Sequence, residues 1–182
     1  IEYSLKLNST NLSPLRSGNI SLRGREDGIE GYLITPSGKK YETLEPEDIV
    51  FMGLNEEEEK NESTKKPSSE WRFHRDIYLN KKEAQAIVHA HSPHATAVSS
   101  HGKTIPPFHY MIALAGGEDI KCAEYATFGT EELSKNVINA LRERSACLMS
   151  NHGQVAFGKN LEDAFELAQE IENICHQYTI AL

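Results

Sequence analysis

The stretch from Ala86 to Ala97 reads AIVHAHSPHATA and begins with the pattern of a buried strand. Because side chains along a strand alternate between its faces, His89 and His91 are expected to point the same way, with Val88 and Ala90 packed on the opposite face. Two imidazoles at this spacing can bind one divalent cation, which needs one or two further ligands from elsewhere in the chain. Most HxH pairs are ordinary core or surface histidines, so this pair alone predicts at most half of a metal site.

Short strand and helix patterns alternate along the rest of the chain. Apolar or alternating runs predict strands over residues 19–23, 31–35, 49–52, 120–123, 146–149 and 154–157, and GREDG at residues 24–28 is expected to turn the first into the second. Periodic runs predict helices over residues 1–7, 67–78, 94–100, 108–115, 130–142 and 161–182, the last capped by Asn160. The regular βαβ repeat and the GxGxxG motif of a doubly wound sheet are absent. We therefore predict an α/β fold with a mixed, largely antiparallel sheet and helices on both faces.

Length and composition limit the class of protein. The 182 residues fit one domain, residues 1–182, with a core large enough to fold without disulfides. Lys and Arg number 19 against 27 Asp and Glu, and this net charge of -8 argues against nucleic acid as a partner. The 3 cysteines include no CxxC pair, and no apolar run is long enough to span a bilayer. A cytoplasmic protein without a membrane or nucleic-acid partner is expected.

Two loops rich in small residues expose backbone N–H groups. SGN at residues 17–19 and PSG at residues 36–38 suit a phosphate, although each alone is more often a plain turn. Ser68 and Ser69 stand at a predicted helix start, where free N–H groups bind anions. Glu70 follows them, and in isolation it is read as an acid favoured by the helix dipole in the first turn. The acidic run from Asn55 to Lys66 is expected to be a solvated hairpin tip without function.

A third histidine, His152, stands in the turn SNHG between two predicted strands. From there its imidazole could point back at the HxH pair. Three imidazoles and the Glu70 carboxylate would make four ligands, a set that suits zinc and does not exclude manganese, iron or cobalt. The other five histidines are expected to be structural or surface residues: His74, His94, His101, His109 and His176.

Seven motifs in one order give the chain a specific resemblance. They are GNISLR at residues 18–23, ITPSG at 34–38, PSSEWRFH at 67–74, IVHAH at 87–91, HYMIALAGG at 109–117, YATFGT at 125–130 and NHG at 151–153. Together they span nearly the whole chain, and in this combination the sequence resembles the class II aldolase/adducin family. The resemblance implies a three-layer α/β/α sandwich assembled as a four-fold symmetric homotetramer. It also implies a lyase of sugar-phosphate metabolism, which cleaves a ketose 1-phosphate to dihydroxyacetone phosphate and an aldehyde.

The family pattern assigns a role to each matching residue. It implies one zinc per chain held by His89, His91, His152 and Glu70, with Glu70 also the catalytic base. Tyr110 would donate a proton from a neighbouring subunit, and Phe128 would line the aldehyde side. The implied phosphate cradle consists of Gly18, Asn19, Ser37, Gly38, Ser68 and Ser69.

Alternatives remain within and beyond this activity. A pentulose-phosphate 4-epimerase or a dehydratase of a methylthio sugar phosphate would use the same metal, and HYMIALAGG favours the aldolase over both. An adducin-like interaction domain would lack catalysis, against which the complete ligand set argues. Aldolases of the family continue beyond the position of Leu182 into a tail with another active-site tyrosine, and residues 99–102 differ from the apolar residues expected there. The identity of the aldehyde is therefore open.

Overall fold

One seven-stranded sheet runs through the computed structural model, which describes residues 1–55 and 65–182. Its strands are β1 (Asn19–Glu26), β2 (Ile29–Ile34), β3 (Val50–Gly53), β4 (Ala86–Ala90), β5 (Cys122–Ala123), β6 (Ala146–Met149) and β7 (Gly153–Gly158). They lie in the order β3-β2-β1-β4-β7-β6-β5. All neighbours are antiparallel except β5 and β6, which are parallel. The prediction of a mixed, largely antiparallel sheet is confirmed.

Helices cover both faces of this sheet. The α-helices are α1 (Glu2–Ser9), α2 (Trp71–Asn80), α3 (Pro93–Ser99), α4 (Glu131–Ala140) and α5 (Leu161–Ala181). One buried cluster joins the sheet to α1, α3 and α5, and a second joins the other face to α2 and α4. The three-layer α/β/α sandwich is therefore confirmed. No helix in residues 1–55 and 65–182 is long and apolar enough to cross a membrane.

The central strand β4 is buried on both faces, as its sequence predicts. Val88 and Ala90 belong to the cluster under α5, whereas Ile87 belongs to the cluster under α2 and α4. His89 points to the same side as Ile87 and meets the ring of Phe73 edge-on, with the centroids 5.4 Å apart. The strand thereby carries one imidazole into the interior beside α2.

Several element boundaries differ from the sequence prediction. The first hairpin turns within the dipeptide Asp27-Gly28, where both residues have positive φ, and β1 and β2 pair up to Glu26 and Ile29. Such a two-residue loop matches the twist of the flanking strands, so the predicted turn over residues 24–28 was too long. The short helix predicted over residues 108–115 is present as a 3-10 helix, Tyr110–Ala115, which begins two residues later. Residues 56–64 lie outside the described part, and the predicted hairpin tip there stays a prediction.

The ends of the helices were predicted more accurately where a side chain caps them. Asn160 Oδ1 accepts a hydrogen bond from the backbone N–H of Asp163, which confirms the predicted cap of α5. The predicted helix over residues 67–78 begins only at Trp71. Glu70 therefore stands immediately before α2, not in its first turn, and its backbone N–H donates to Ser68 Oγ at 3.3 Å.

Candidate active site

Three imidazoles meet at one end of the sheet. The ring centroids of His89, His91 and His152 lie 4.8–4.9 Å apart, and the ring planes are inclined by 75–81°. His89 is the next-to-last residue of β4, His91 directly follows that strand, and His152 comes from the turn between β6 and β7. Because β4 and β7 are antiparallel neighbours, this turn lies beside the end of β4. The structure thus brings together the three histidines that the sequence singled out.

Glu70 completes the group. One ligand atom from each of Glu70, His89, His91 and His152 lies within 4.8 Å of the others. Glu70 Oε2 is 3.1 Å from His89 Nε2, and Oε1 is 3.1 Å from His152 Nε2. Oε1 is nevertheless buried without a hydrogen bond of acceptable geometry. The ring nitrogens and the carboxylate therefore converge on a common point instead of pairing with one another.

The hydrogen bond of His89 Nδ1 determines the tautomer of this ring. His89 Nδ1 lies 2.8 Å from the backbone oxygen of Gln154, which accepts only, so Nδ1 carries the proton. In the neutral ring Nε2 then presents its lone pair to the cluster. A backbone carbonyl that fixes a histidine in this way is a common support of metal ligands.

The charges in the cluster are strongly coupled. Burial raises the pKa of the Glu70 carboxyl, but the charge of His89 and the contacts with His152 outweigh it and hold that pKa well below its usual range. Burial lowers the pKa of His89, whereas Glu70 and the Gln154 carbonyl raise it more. The pKa of His91 falls to about 3 because of burial and the charges of His89 and His152. The carboxylate of Glu70 thus lies beside a buried imidazole, His89, whose raised pKa favours the protonated ring.

This arrangement fits a divalent cation. The Nε2 atoms of His89 and His91 are 2.9 Å apart, which requires a proton or a cation between two nitrogen lone pairs. Three imidazole nitrogens and one carboxylate oxygen are ligands that zinc and several other divalent ions accept. The four residues could therefore hold one cation.

The predicted phosphate residues lie on neighbouring loops. Ser37 N–H donates to Lys66 O at 3.1 Å, and Ser68 N–H donates to Thr35 O at 3.0 Å. These two bonds bring the PSG loop against the serines before α2. Ser37, Gly38 and Ser69 are exposed, whereas Ser68 is buried. Arg16, which sequence reasoning missed, donates from Nη1 to Gly38 O at 2.9 Å and adds a positive charge beside these loops.

Gly18 and Asn19 occupy more enclosed positions than the phosphate prediction suggests. A Cβ on Gly18 would lie 2.6 Å from the backbone oxygen of His89, so a larger residue would displace the end of β4. Asn19 is 4% exposed, and its Nδ2 donates to Glu70 Oε2 at 2.9 Å. Both residues therefore contact the metal-site residues directly, a relationship that the loop motif did not reveal.

A cavity of about 320 Å³ opens beside the cluster. Of the predicted residues, Ser69, Glu70, His91, Phe128 and His152 line it. It is also lined by Ser17, from the SGN loop that the sequence singled out, and by three residues that sequence reasoning did not select: Tyr125, Ala126 and Asn151. YATFGT and NHG contain these three residues, so the motifs could have identified these positions.

Tyr110 is the one predicted catalytic residue that the structure places apart. It is 81% exposed on the 3-10 helix Tyr110–Ala115. Within the described part of this single chain it is not among the residues that line the cavity.

The comparison with protein families decides the classification. The profile of the family described as "Class II Aldolase and Adducin N-terminal domain" matches residues 1–179. The chain belongs to this family. The resemblance predicted from the seven motifs is confirmed, and so is an enzyme of the class II aldolase type, a lyase.

Individual members of the family are similar over nearly the whole chain. L-fuculose phosphate aldolase of Escherichia coli (strain K12) is 46% identical over 182 residues, which are 100% of this chain and 81% of that protein. A 5-methylthioribulose-1-phosphate/5-deoxyribulose-1-phosphate aldolase of Rhodospirillum rubrum is 43% identical over 178 residues, which are 98% of this chain and 77% of that protein. A solved structure of an L-fuculose 1-phosphate aldolase has a TM-score of 0.91 at 38% identity and covers 99% of this chain and 82% of its own. The similar members thus carry names with different substrates.

Proposed function

We propose that this protein is a zinc-dependent aldolase that cleaves a ketose 1-phosphate to dihydroxyacetone phosphate and an aldehyde. The observation that carries the proposal is the convergence of the Glu70 carboxylate with three imidazoles, within 4.8 Å, beside a cavity in a class II aldolase chain. An adducin-like interaction domain has no use for a buried carboxylate among three imidazoles.

The zinc ion would be held by His89, His91, His152 and Glu70. When bound, it supplies Lewis-acid stabilisation of the negative charge that develops on the substrate oxygens. Glu70 is also the base: its lowered pKa favours the ionised carboxylate at neutral pH, and the ionised form is the one that can accept a proton. In the condensation direction Glu70 takes a proton from C3 of dihydroxyacetone phosphate. In cleavage it returns that proton to C3 after the bond between C3 and C4 has broken.

The phosphate would be bound by the loops that meet in front of α2. Backbone and side-chain donors come from Ser37, Gly38 and Ser69, with Ser68 holding the backbone of Glu70. Arg16, anchored on the Gly38 carbonyl, contributes a positive charge beside these loops in a protein of net charge -8. Gly18 and Asn19, at the start of β1, remain part of the proposed cradle.

Assembly would complete the site. We infer a homotetramer in which Tyr110 of one subunit reaches the site of its neighbour and donates a proton to the aldehyde oxygen. Its exposure of 81% and its separation from its own cavity support this arrangement. A heterologous interface repeated around a four-fold axis closes into a ring. The free cysteines Cys122, Cys147 and Cys175 are consistent with a cytoplasmic enzyme.

The names of the relatives supply three candidate ketose 1-phosphates for the proposed reaction. Cleavage between C3 and C4 of each gives dihydroxyacetone phosphate, so the sugars differ in the aldehyde alone. The aldehyde would face Phe128, which is 63% exposed, and Tyr125, both at the cavity.

The decisive experiment is condensation. Zinc-loaded protein is incubated with dihydroxyacetone phosphate and, separately, L-lactaldehyde, acetaldehyde and methylthioacetaldehyde, and the ketose 1-phosphates are measured by mass spectrometry. We expect product with at least one aldehyde and none after removal of the metal. Absence of product with all three aldehydes, or epimerisation of a pentulose phosphate at a higher rate, would overturn the proposal.

A further inference from the structure

A chain of buried polar side chains leads away from Glu70 into the interior. Asn19 Nδ2 donates to Glu70 Oε2 at 2.9 Å, and Asn19 Oδ1 lies 2.5 Å from His74 Nε2. On its other side His74 Nδ1 lies 2.7 Å from Ser21 Oγ, which is 2.8 Å from the Tyr78 hydroxyl. All five residues are buried. The chain thus joins β1 to α2 and ends at the carboxylate that would serve as base.

The direction of every hydrogen bond in this chain follows from its first member. An ionised carboxylate accepts only, so Asn19 must turn its amide nitrogen to Glu70 and its oxygen to His74. His74 Nε2 must then carry the proton. In a neutral ring Nδ1 is the acceptor, so Ser21 donates to it and Tyr78 donates to Ser21. Each donor therefore points towards Glu70.

The burial of His74 keeps the ring neutral. His74 is 0% exposed and stacks on Phe73, with centroids 4.7 Å apart. This burial, and to a lesser extent the charge of His89, lowers the pKa of His74 to about 3. The chain of donors requires a His74 ring that carries one proton, on one of its two nitrogens. If both ring nitrogens were protonated, Nδ1 would donate to Ser21 Oγ, and the Ser21 hydroxyl could no longer donate to His74.

Asn19 has a particular importance among the contacts of Glu70. With a cation bound, the Nε2 atoms of His89 and His152 would be its ligands. In the described residues, Asn19 is then the side chain that still donates to the Glu70 carboxylate. The amide of Asn19 can rotate by half a turn unless its oxygen is held, and the reversed amide would place two oxygens against each other.

We propose that His74 is a positioning residue for catalysis, which locks the Asn19 amide so that its N–H group holds the Glu70 carboxylate in the orientation needed for proton transfer. This inference rests on the proposed role of Glu70 as base. Supporting residues around a metal site commonly change activity by about 10- to 100-fold when altered, although they do not touch the substrate.

The tautomer of His74 provides a test that does not depend on activity. The zinc-loaded protein is labelled with ¹⁵N-histidine, and the His74 ring is assigned by its absence from the spectrum of His74→Gln. We expect a neutral ring protonated at Nε2 between pH 6 and pH 8. A ring protonated at Nδ1, or at both nitrogens, would overturn the proposal even if the aldolase activity is demonstrated.

Two amide substitutions provide a matched kinetic test. In His74→Gln the amide reaches the position of Nε2 and can still donate to Asn19, whereas in His74→Asn it reaches only Nδ1 and contacts Ser21. We expect His74→Asn to lower kcat for C3 proton exchange of dihydroxyacetone phosphate about tenfold or more, with KM within about threefold and zinc content unchanged. His74→Gln should recover most of this loss. Equal kcat values in the two variants would contradict a role through Asn19.

A double variant separates positioning from a general loss of packing. In an Asn19→Ala background, the His74→Gln and His74→Asn variants should have kcat values that differ by less than about twofold, because the amide that His74 holds is gone. Ile77→Ala on the same helix removes fully buried packing without touching the chain of donors. We expect it to lower the melting temperature with kcat unchanged. A tenfold effect of His74→Asn that persists without Asn19 would show a packing role and overturn the proposal.

Discussion

The Nε2 atoms of His89 and His91 lie 2.9 Å apart at the end of β4. His89 Nδ1 already donates to the Gln154 backbone, so His89 Nε2 is a free acceptor in the neutral ring. Two such nitrogens are compatible at this distance when a proton or a cation lies between them. The pair, with Glu70 and His152 beside it, is therefore built around a positive charge.

Removal of these imidazoles should abolish tight metal binding. We expect the purified protein to contain about one zinc per chain, and His152→Ala or the double variant His89→Ala, His91→Ala to contain far less, because too few ligands remain. Metal content is measured by mass spectrometry after dialysis against a weak chelator. His101→Ala, which alters an exposed histidine, is the control and should keep its zinc. Near-stoichiometric zinc in the double variant would rule out this site.

Ser69 should contribute to phosphate binding without a role in metal binding. It is exposed before α2, and Ser69→Ala removes one hydroxyl donor from the loops. We expect KM for dihydroxyacetone phosphate to rise about tenfold with a smaller change in kcat, as for the loss of one hydrogen bond to a charged group. Initial rates over a range of substrate concentrations measure both. A non-phosphorylated ketose should react slowly with either protein, and equal turnover of the two substrates would contradict the phosphate site.

Tyr110 should act across a subunit interface. If it serves the neighbouring site, Glu70→Gln and Tyr110→Phe proteins, each inactive alone, should regain activity when their subunits exchange, because some sites then contain both intact residues. Aldol condensation is followed while native mass spectrometry monitors the exchange. A fully active monomer at high dilution, or exchange without recovery, would mean that Tyr110 does not act across an interface.

The buried neutral His74 should make the protein sensitive to acid. Its pKa is about 3 in the folded protein, against an ordinary value of 6.5, so the unfolded chain binds the additional proton. Stability from this residue is complete above about pH 6.5 and is lost as the pH falls towards 3. When the pH is lowered from 7 to 5, the free energy of unfolding should fall by about 2 kcal/mol more in the zinc-free protein than in zinc-free His74→Gln. Urea unfolding at both pH values measures it, and parallel losses in the two proteins would contradict a neutral His74.

The sequence predicts best where one physical constraint dominates. Strand β4 must be apolar on both faces because it lies in the middle of the sheet, and AIVHA shows this directly. Asn160 needs only its own helix to act as a cap. The end of β1 was predicted poorly because its pairing with β2 continues through charged residues up to Glu26. There, backbone pairing and not hydrophobicity determines where the strand ends.

The site was predictable in its ligands but not in their support. His89 and His91 share a strand, and His152 stands in a short turn, so their convergence has a local signal. Glu70 has no such local signal: the need for a fourth ligand suggested it, and the family resemblance assigned its role. The contact between Asn19 and His74 spans 55 residues and has no motif of its own, and for this reason the sequence assigned Asn19 to the phosphate alone and left His74 without a role.

Deuterium exchange at C3 of dihydroxyacetone phosphate tests the central claim most directly, because it isolates the proton transfer by Glu70 from aldehyde binding. The zinc-loaded protein is incubated with the substrate in D₂O, and exchange is followed by ¹H NMR. We predict exchange by the native protein, and a rate at least roughly a hundredfold lower for Glu70→Gln that still contains zinc. An unchanged exchange rate in zinc-loaded Glu70→Gln would contradict the account.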